Sequence, residues 1–363
     1  MQRRTPLTLE DLGWRAALAE AFARHAAAGF APARVSLEHT HIYRVLDASG
    51  ERLARVAGRL RHQAAARADF PAVGDWVAVE PPPHGGDARI RAVLPRFSRF
   101  SRRAAGDPTE EQVVAANVDV VLLVSGLDGD FNPRRIERYL LTAWDSGATP
   151  IIVLNKSDVV EDVRPFVEET ERVAQGVPVH AVSARAPASL DSIRTALGRG
   201  RTGALLGMSG VGKSSIVNAL IGEERLRTRE VRAWDSRGRH ASSARQLVLL
   251  PGGGILIDTP GMRELQLWDT GEALAGAFQD LDALARECRF RDCRHAGEPG
   301  CAVVAAVEQG DLSPLRLENY RKLQAEQAHA ARQQDQRAQL EQKRRWKILT
   351  KAANKRIQEK DRS

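Results

Sequence analysis

Two polar loops, each set at the end of a buried run of residues, constrain this chain more than any other feature. Ala204-Leu205-Leu206 runs into Gly207-Met208-Ser209-Gly210-Val211-Gly212-Lys213-Ser214, while Pro150-Ile151-Ile152-Val153-Leu154 runs into Asn155-Lys156-Ser157-Asp158. Upstream of both, Val118-Asp119-Val120-Val121-Leu122-Leu123-Val124 has the same β-branched composition, typical of strands covered on both faces. Arg134 to Trp144 and Phe166 to Ala174 carry helical spacing between these runs. Such alternation predicts a three-layer α/β domain that binds its ligand at the carboxyl ends of parallel strands.

The glycines of the second loop let the backbone wrap phosphate closely with its N–H groups at a helix N-terminus. Lys213 would reach the β- and γ-phosphates, Ser214 would ligate magnesium, and Ser215 completes the loop. In the first loop, Asp158 can accept two hydrogen bonds, from N1–H and the exocyclic amine of guanine. Adenine offers no such donor pair, so the loop selects GTP over ATP. Asn155 would tether neighbouring loops, the Lys156 stem would cover the base, and Ser183-Ala184-Arg185 would present the Ala184 N–H to the guanine oxygen. Asp258, after Gly254-Ile255-Leu256-Ile257, would hold magnesium from behind, and the Gly261 N–H would sense the γ-phosphate. The base-reading loops precede the phosphate loop, the reverse of the usual order, so the expectation is a circularly permuted GTPase domain.

Many GTPases place a glutamine after the glycine of Asp258-Thr259-Pro260-Gly261, whereas this chain has Met262. A thioether cannot orient water, so hydrolysis should be slow without another group. His240, in Arg237-Gly238-Arg239-His240-Ala241-Ser242-Ser243, is the candidate, and Ser242 or Ser243 could close onto magnesium. A polar surface loop is the alternative reading. Gly252-Gly253-Gly254 reads as a hairpin turn.

Ahead of this domain, Ile42–Leu46, Leu53–Val56, Trp76–Val79 and Ile90–Leu94 are short strand-like runs separated by Gly-containing turns. Their spacing suits a five-stranded OB-like barrel, a fold that commonly binds single-stranded nucleic acid. Tyr43, Trp76, Phe97 and Phe100 could be core or stacking platform. Residues 1–34 read as an N-terminal helical extension, with Leu12, Ala16, Leu18, Ala19, Phe22 and Ala23 near helix spacing.

Beyond the GTPase motifs, Cys288, Cys293, His295 and Cys301 hold all three cysteines of the chain. Three thiolates and an imidazole form a closed tetrahedral set for one structural zinc. Reduced cysteines beside a surface histidine are the alternative. Arg289, Arg291 and Arg294 interleave with the ligands, as a phosphate-facing loop would have them. Residues 321–363 carry 13 Lys or Arg against 5 Asp or Glu, which matches the formal charge of +8 of all 363 residues. The excess is thus confined to the tail and suggests a polyanionic partner such as nucleic acid, a long solvated helix being the alternative. No apolar run reaches membrane-spanning length and no signal-peptide core is present, so a cytoplasmic monomer without membrane contact is expected.

The expected architecture is therefore multidomain. A helical extension (1–34) precedes an OB-like β-barrel (35–98) and a circularly permuted P-loop α/β GTPase domain (110–270). A helical zinc-binding domain (271–325) and a basic helical tail (326–363) follow.

The series of barrel, Asn155-Lys156-Ser157-Asp158, the Gly207–Ser215 loop, Gly238-Arg239-His240, Asp258-Thr259-Pro260-Gly261 and Cys288-Arg289-Phe290-Arg291-Asp292-Cys293-Arg294-His295 with Glu298-Pro299-Gly300-Cys301 closely resembles the RsgA (YjeQ) family. Phe131-Asn132-Pro133-Arg134-Arg135-Ile136-Glu137-Arg138-Tyr139 and Lys343-Arg344-Arg345-Trp346 extend the likeness over about residues 35 to 350. The resemblance implies a bacterial late-assembly GTPase that binds the immature small ribosomal subunit and its rRNA. It implies too that the subunit stimulates hydrolysis of GTP to GDP and that the protein departs afterwards. His240 matches the family histidine implicated in that stimulation. The family continues it with threonines, whereas this chain has Ala241-Ser242-Ser243. A nucleotide-gated RNA-binding module with negligible turnover and a non-ribosomal signalling GTPase are the rival readings.

Overall fold

The computed structural model describes residues 7–39, 42–81, 86–104, 107–129, 131–222, 245–258 and 279–312, with scattered positions up to 324. They belong to two compact units, one within residues 1–105 and 110–267, the other within 106–109 and 268–363.

In the first unit, β1 (Ala31–His39), β2 (Ile42–Asp47), β3 (Gly50–Val56), β4 (Trp76–Glu80) and β5 (Ala88–Val93) close a barrel in the order β1-β2-β3-β5-β4 and back to β1. Only the β3–β5 pair is parallel. Alternate residues point inward, so Val35, Tyr43, Val45, Ala54, Val77, Val79 and Ile90 form one interior cluster. A register shift between Val35 and Leu37 divides β1. Its first half, Ala31 to Arg34, pairs with β4, and beyond the shift Leu37 and Glu38 pair with another strand, described below. An irregularity of this kind bends a strand and lets it serve two partners.

The helix expected near the N-terminus is present as α1 (Ala16–Ala26), but it buries only Leu18 and Phe22. Leu12 belongs to a preceding short 3-10 turn, Glu10–Leu12. These side chains cover Trp76, Ala78 and Leu94 on the outside of the barrel, and Trp14 meets Trp76 edge-on at 4.7 Å. Residues 31–34, expected in the helical extension, are strand. The short helix α2 (Gly58–Gln63) follows β3, and β6 (Arg99–Ala104) pairs with β7 (Asp107–Ala116) in a two-stranded ribbon.

The α/β part follows as β8 (Val120–Gly126), α3 (Pro133–Ser146), β9 (Thr149–Asn155), α4 (Arg164–Val173), β10 (Val179–Ala181), α5 (Asp191–Ala196), β11 (Thr202–Leu206), α6 (Lys213–Ile221), β12 (Arg245–Leu249) and β13 (Ile255–Asp258). The sheet order is β10-β9-β8-β11-β13-β12, parallel except for β12. Alternation sorts each strand between two cores. Val121, Leu123, Ile152, Leu154, Ala204 and Ile257 face one, while Val120, Leu122, Val124, Val153, Leu205 and Leu256 face the other. Helix α3 begins as its sequence dictates, with the Asn132 side chain accepting from the Arg135 N–H and Pro133 in the first turn. The glycine triplet closes the β12–β13 hairpin, where the Leu250 N–H donates to the Gly254 carbonyl at 2.8 Å.

The outer strand β12 meets β1 antiparallel, so barrel and α/β domain share one continuous 11-stranded sheet. At the other end of the junction, Arg34 is buried and donates to the carbonyls of Leu12 (2.5 Å), Gly74 (3.1 Å) and Asn117 (3.0 Å). Arg15 pairs with Asp119, and Asp11 with Arg199. The N-terminal segment therefore stitches the barrel to the α/β domain.

In the second unit, α7 (Gln279–Ala285) packs on α8 (Ala302–Gln309), with the cysteine-rich loop between them. Leu281, Val303, Ala306, Leu312, Leu317 and Tyr320 are its buried side chains.

Candidate nucleotide site and metal knuckle

Gly207 follows the end of β11, and Lys213 opens α6. The turn between them demands glycine at two points. A Cβ on Gly207 would stand 2.3 Å from the Val124 carbonyl, and Gly212, at φ 92°, would place one 2.2 Å from Asn155 Nδ2. Ser209, Gly210 and Ser214 are exposed, while Val211 is buried and anchors the loop. The Lys213 ammonium curls over the loop and donates to the carbonyls of Gly207 (2.6 Å) and Met208 (2.5 Å).

The loops at the ends of β9 and β10 converge on this turn. Asn155, almost fully buried, donates from Nδ2 to the Val211 carbonyl at 2.8 Å and accepts the Ala184 N–H on Oδ1 at 3.2 Å. One amide thus joins the phosphate loop to the Ser183-Ala184 loop. Lys156 adopts a left-handed conformation at φ 66° and contacts Asp128. The Ser157 N–H donates to the Val182 carbonyl at 3.0 Å. Asp158 accepts from the Ser183 hydroxyl at 2.6 Å and from Arg185 at 3.4 Å. The Ser183 hydroxyl, with help from Arg185, holds the Asp158 carboxyl below the usual range, keeping it an acceptor.

Asp258 ends β13 beside β11. Burial pushes its pKa up, and the Lys213 charge offsets only part of that. A carboxylate desolvated in this way, within range of the Lys213 charge, suits a divalent cation. His240, Ser242, Ser243, Gly261 and Met262 lie outside the described residues. Asp128 carries no signal in its own sequence context and became visible only when the fold brought it to Lys156; Arg185 belongs to the Ser183-Ala184-Arg185 motif, but its contact with Asp158 emerged only from the fold.

In the second unit, Cys288, Cys293, His295 and Cys301 bring their ligand atoms within 4.8 Å of one another. Cys288 Sγ lies 3.8 Å from Cys301 Sγ, and His295 Nδ1 lies 3.6 and 3.4 Å from those two sulfurs. A tetrahedral zinc, with Zn–S about 2.3 Å and Zn–N about 2.0 Å, sets its ligands roughly 3.5 to 3.8 Å apart, so the set fits that ion. Cys301 also caps α8, its sulfur accepting the Val304 N–H at 3.4 Å. Glu298, whose role the sequence did not disclose, accepts the N–H groups of Arg294 (3.0 Å) and Ala296 (2.6 Å) and stands 3.7 Å from Cys293 Sγ. Arg289, Arg291 and Arg294 are exposed around the knuckle, as is Phe290. No helix among the described residues is long and apolar enough to cross a membrane.

The RsgA GTPase family model matches residues 93–268. A small ribosomal subunit biogenesis GTPase RsgA from Opitutus terrae is 49% identical, covering 94% of this chain and 96% of the relative. The protein of the same name from Syntrophotalea carbinolica is 42% identical over the same shares. Among solved structures, YjeQ from Thermotoga maritima aligns with a TM-score of 0.63 at 28% identity, over 82% of this chain and 99% of that one. YloQ, a circularly permuted GTPase, aligns at 0.60 and 24% identity, over 83% and 96%, and supports the fold. With near-complete coverage by relatives of this identity, and base-reading loops that precede the phosphate loop on one sheet, the chain belongs to the RsgA family of circularly permuted GTPases.

Proposed function

We propose that this protein is a GTP-hydrolysing factor in small ribosomal subunit biogenesis, with the Asn155-centred site as its nucleotide site. The observation that carries the reading is the double bond of Asn155, to Val211 on the phosphate loop and to Ala184 on the base loop. It sets phosphate and base recognition at a fixed separation, as a guanine nucleotide requires. Asp158 reads N1–H and the exocyclic amine, Ala184 N–H meets the guanine oxygen, and Lys156 covers the base. The N–H groups from Ser209 to Ser215 and the Lys213 ammonium hold the phosphates, Lys213 exchanging the Gly207 and Met208 carbonyls for phosphate oxygens when nucleotide binds. Ser214, with Asp258 behind it, would hold magnesium, which would supply charge neutralisation at the phosphates.

Met262 leaves water unoriented, so intrinsic turnover is slow, and His240 supplies the missing group when the small subunit is bound. Cys288, Cys293, His295 and Cys301 would hold a structural zinc, and the loop so fixed would present Arg289, Arg291 and Arg294 to rRNA phosphates. The protein acts in the cytoplasm as a monomer. The test is GTP turnover with magnesium, alone and with purified small subunits, for the wild type and His240→Ala. Strong stimulation that the variant loses is the expected result. A wild type indifferent to the subunit would sink the reading in favour of a nucleotide-gated RNA-binding module.

A further inference from the structure

The two strands that report on the nucleotide site are not insulated from the barrel. Asp258 on β13 pairs in register with Gln246 on β12, Gln246 with Leu37 on β1, and Leu37 with Arg44 on β2. One row of backbone partners thus runs from the magnesium-side carboxylate to an exposed arginine of the barrel. The adjacent row is Arg245, Glu38 and Tyr43.

Among the described residues, the β1–β12 pairing that carries both rows comprises Leu37 with Gln246 and Glu38 with Arg245. Cross-strand side chains contribute to the energetics of such a pairing, and here they form an ion pair at 3.3 Å, with a quarter of the Glu38 side chain and a ninth of the Arg245 side chain exposed. Burial raises the Glu38 pKa and lowers that of Arg245, so each charge is held against its own desolvation. A partly buried pair of this kind adds little net stability, and its place across the β1–β12 register suits a role in registry. The pair is also not sealed in a core. A cavity of about 620 Å³ opens onto Glu38, walled by Tyr43, Arg67, Phe70 and Gln112, so the side chains have room to rearrange. Elsewhere the barrel is held to the α/β domain by the many bonds of Arg34, Asn117 and Arg15. The Glu38–Arg245 pair, beside that cavity, is a side-chain contact between β12 and the barrel.

We propose that Glu38 and Arg245 are a positioning pair that locks β12 to the barrel and so transmits the state of the nucleotide site, through β13 and β12, to β1 and β2. The proposal rests on the guanine-nucleotide reading of the site and extends it to the means by which the barrel senses that nucleotide. Ground and activated states would differ in how firmly β12 holds β1, and the barrel's grip on its partner would follow the nucleotide without any contact between the two ligands.

Hydrogen exchange of the full-length protein tests this, with magnesium and saturating GDP or a non-hydrolysable GTP analogue, nucleotide affinity being measured on the same samples. The wild type is expected to show several-fold different exchange across residues 31–47 between the two nucleotides. Glu38→Gln should lose that difference while binding both nucleotides with unchanged Kd, and the charge-reversed double variant E38R/R245E should regain it. A variant that merely loosened the fold would instead exchange faster throughout the barrel in both states, and the double variant would not rescue it. Should Glu38→Gln prove unstable, Arg245→Lys keeps the charge and is expected to retain the difference. Identical exchange of 31–47 in the two wild-type complexes, or a difference that survives in Glu38→Gln, overturns the coupling. Failure to bind either nucleotide overturns the site reading as well, whereas binding without the exchange difference overturns the coupling alone.

Discussion

Two aspartates of one site are held in opposite directions. The Ser183 hydroxyl pulls Asp158 below the ordinary carboxylate range, while burial pushes Asp258 above it. Base reading needs an acceptor at every working pH, and Asp158 is secured as one. Replacing it with Asn leaves one acceptor where guanine offers two donors, with the new NH₂ facing the exocyclic amine. Asp158→Asn should cost about 3 kcal/mol of GTP binding, roughly a hundredfold in Kd, and should improve binding of xanthosine nucleotides, whose carbonyl accepts from that NH₂. Titration with both nucleotides checks this, and unchanged GTP affinity would remove Asp158 from base recognition. Asp258 behaves otherwise. Its folded pKa is raised, so in the nucleotide-free protein it contributes stability that is present below the ordinary value of 3.8 and lost as pH rises through the raised value. Magnesium needs the ionised form. Magnesium-dependent GTP binding should therefore begin to weaken, as pH falls, before an ordinary carboxylate would protonate, and binding inside that window should release a proton. Calorimetry in two buffers of different ionisation heat reads the release directly, and Asp258→Asn should abolish it.

At the scale of elements, the buried strands β8, β9, β11 and β13 were legible because both faces are covered and their sequences are almost uninterrupted hydrophobes. The phosphate and base loops were legible because each backbone and side-chain role demands a particular residue type. Strand β1 was not, because Gly29 and Pro32 read as the end of the N-terminal helix, although Ala31, Ala33, Val35 and Leu37 alternate with Pro32, Arg34, Ser36 and Glu38. Its charge at position 34 is tolerated only because backbone carbonyls from three distant segments converge on the guanidinium. That satisfaction is tertiary and leaves no local trace. Burial depresses the Arg34 pKa to about 10, so it stays charged at neutral pH. Arg34→Ala would take their guanidinium donor from the Leu12 and Asn117 carbonyls, while the Gly74 carbonyl keeps the Asn117 amide; the cost should be about 3 kcal/mol, lowering the Tm by roughly 6 to 12 °C. A smaller shift would show that water replaces the guanidinium. The knuckle is the opposite case, since its three cysteines and histidine were evident as a group in sequence but the carboxylate that shapes the loop was not. Glu298→Ala removes the acceptor of two loop N–H groups and should weaken metal affinity roughly 10- to 100-fold, measured by competition with a chromophoric chelator. Metal analysis of the purified protein is expected to give one zinc per chain, and chelation should melt α7 and α8 while the barrel keeps its near-ultraviolet signature. Unchanged helicity after complete zinc removal would make the ion dispensable to that unit.

Across the whole molecule, charge is distributed in a way that separates two jobs. Residues 1–320 carry 41 basic and 41 acidic side chains, so the parts that bind nucleotide and form the barrel exert little net long-range field. The excess lies in the last 43 residues, and residues 326–363 hold 11 Lys or Arg against 5 Asp or Glu. If the tail grips rRNA through phosphates, each neutralised phosphate releases condensed counterions, and log K falls linearly with log salt by about 0.7 to 0.9 per contact. The exposed arginines of the knuckle, and Arg44 on the barrel, would add local contacts that position the protein but contribute a smaller share of that slope. Deleting residues 326–363 should therefore flatten the salt dependence of affinity for small-subunit RNA by several units while leaving GTP affinity untouched. Arg289→Ala with Arg294→Ala should instead reduce the slope by about 1 to 2. Fluorescence anisotropy over a salt series distinguishes the two. A tail deletion that lowers affinity equally at every salt concentration would mean the segment recognises its partner by shape or base contact, and the charge excess would need another explanation.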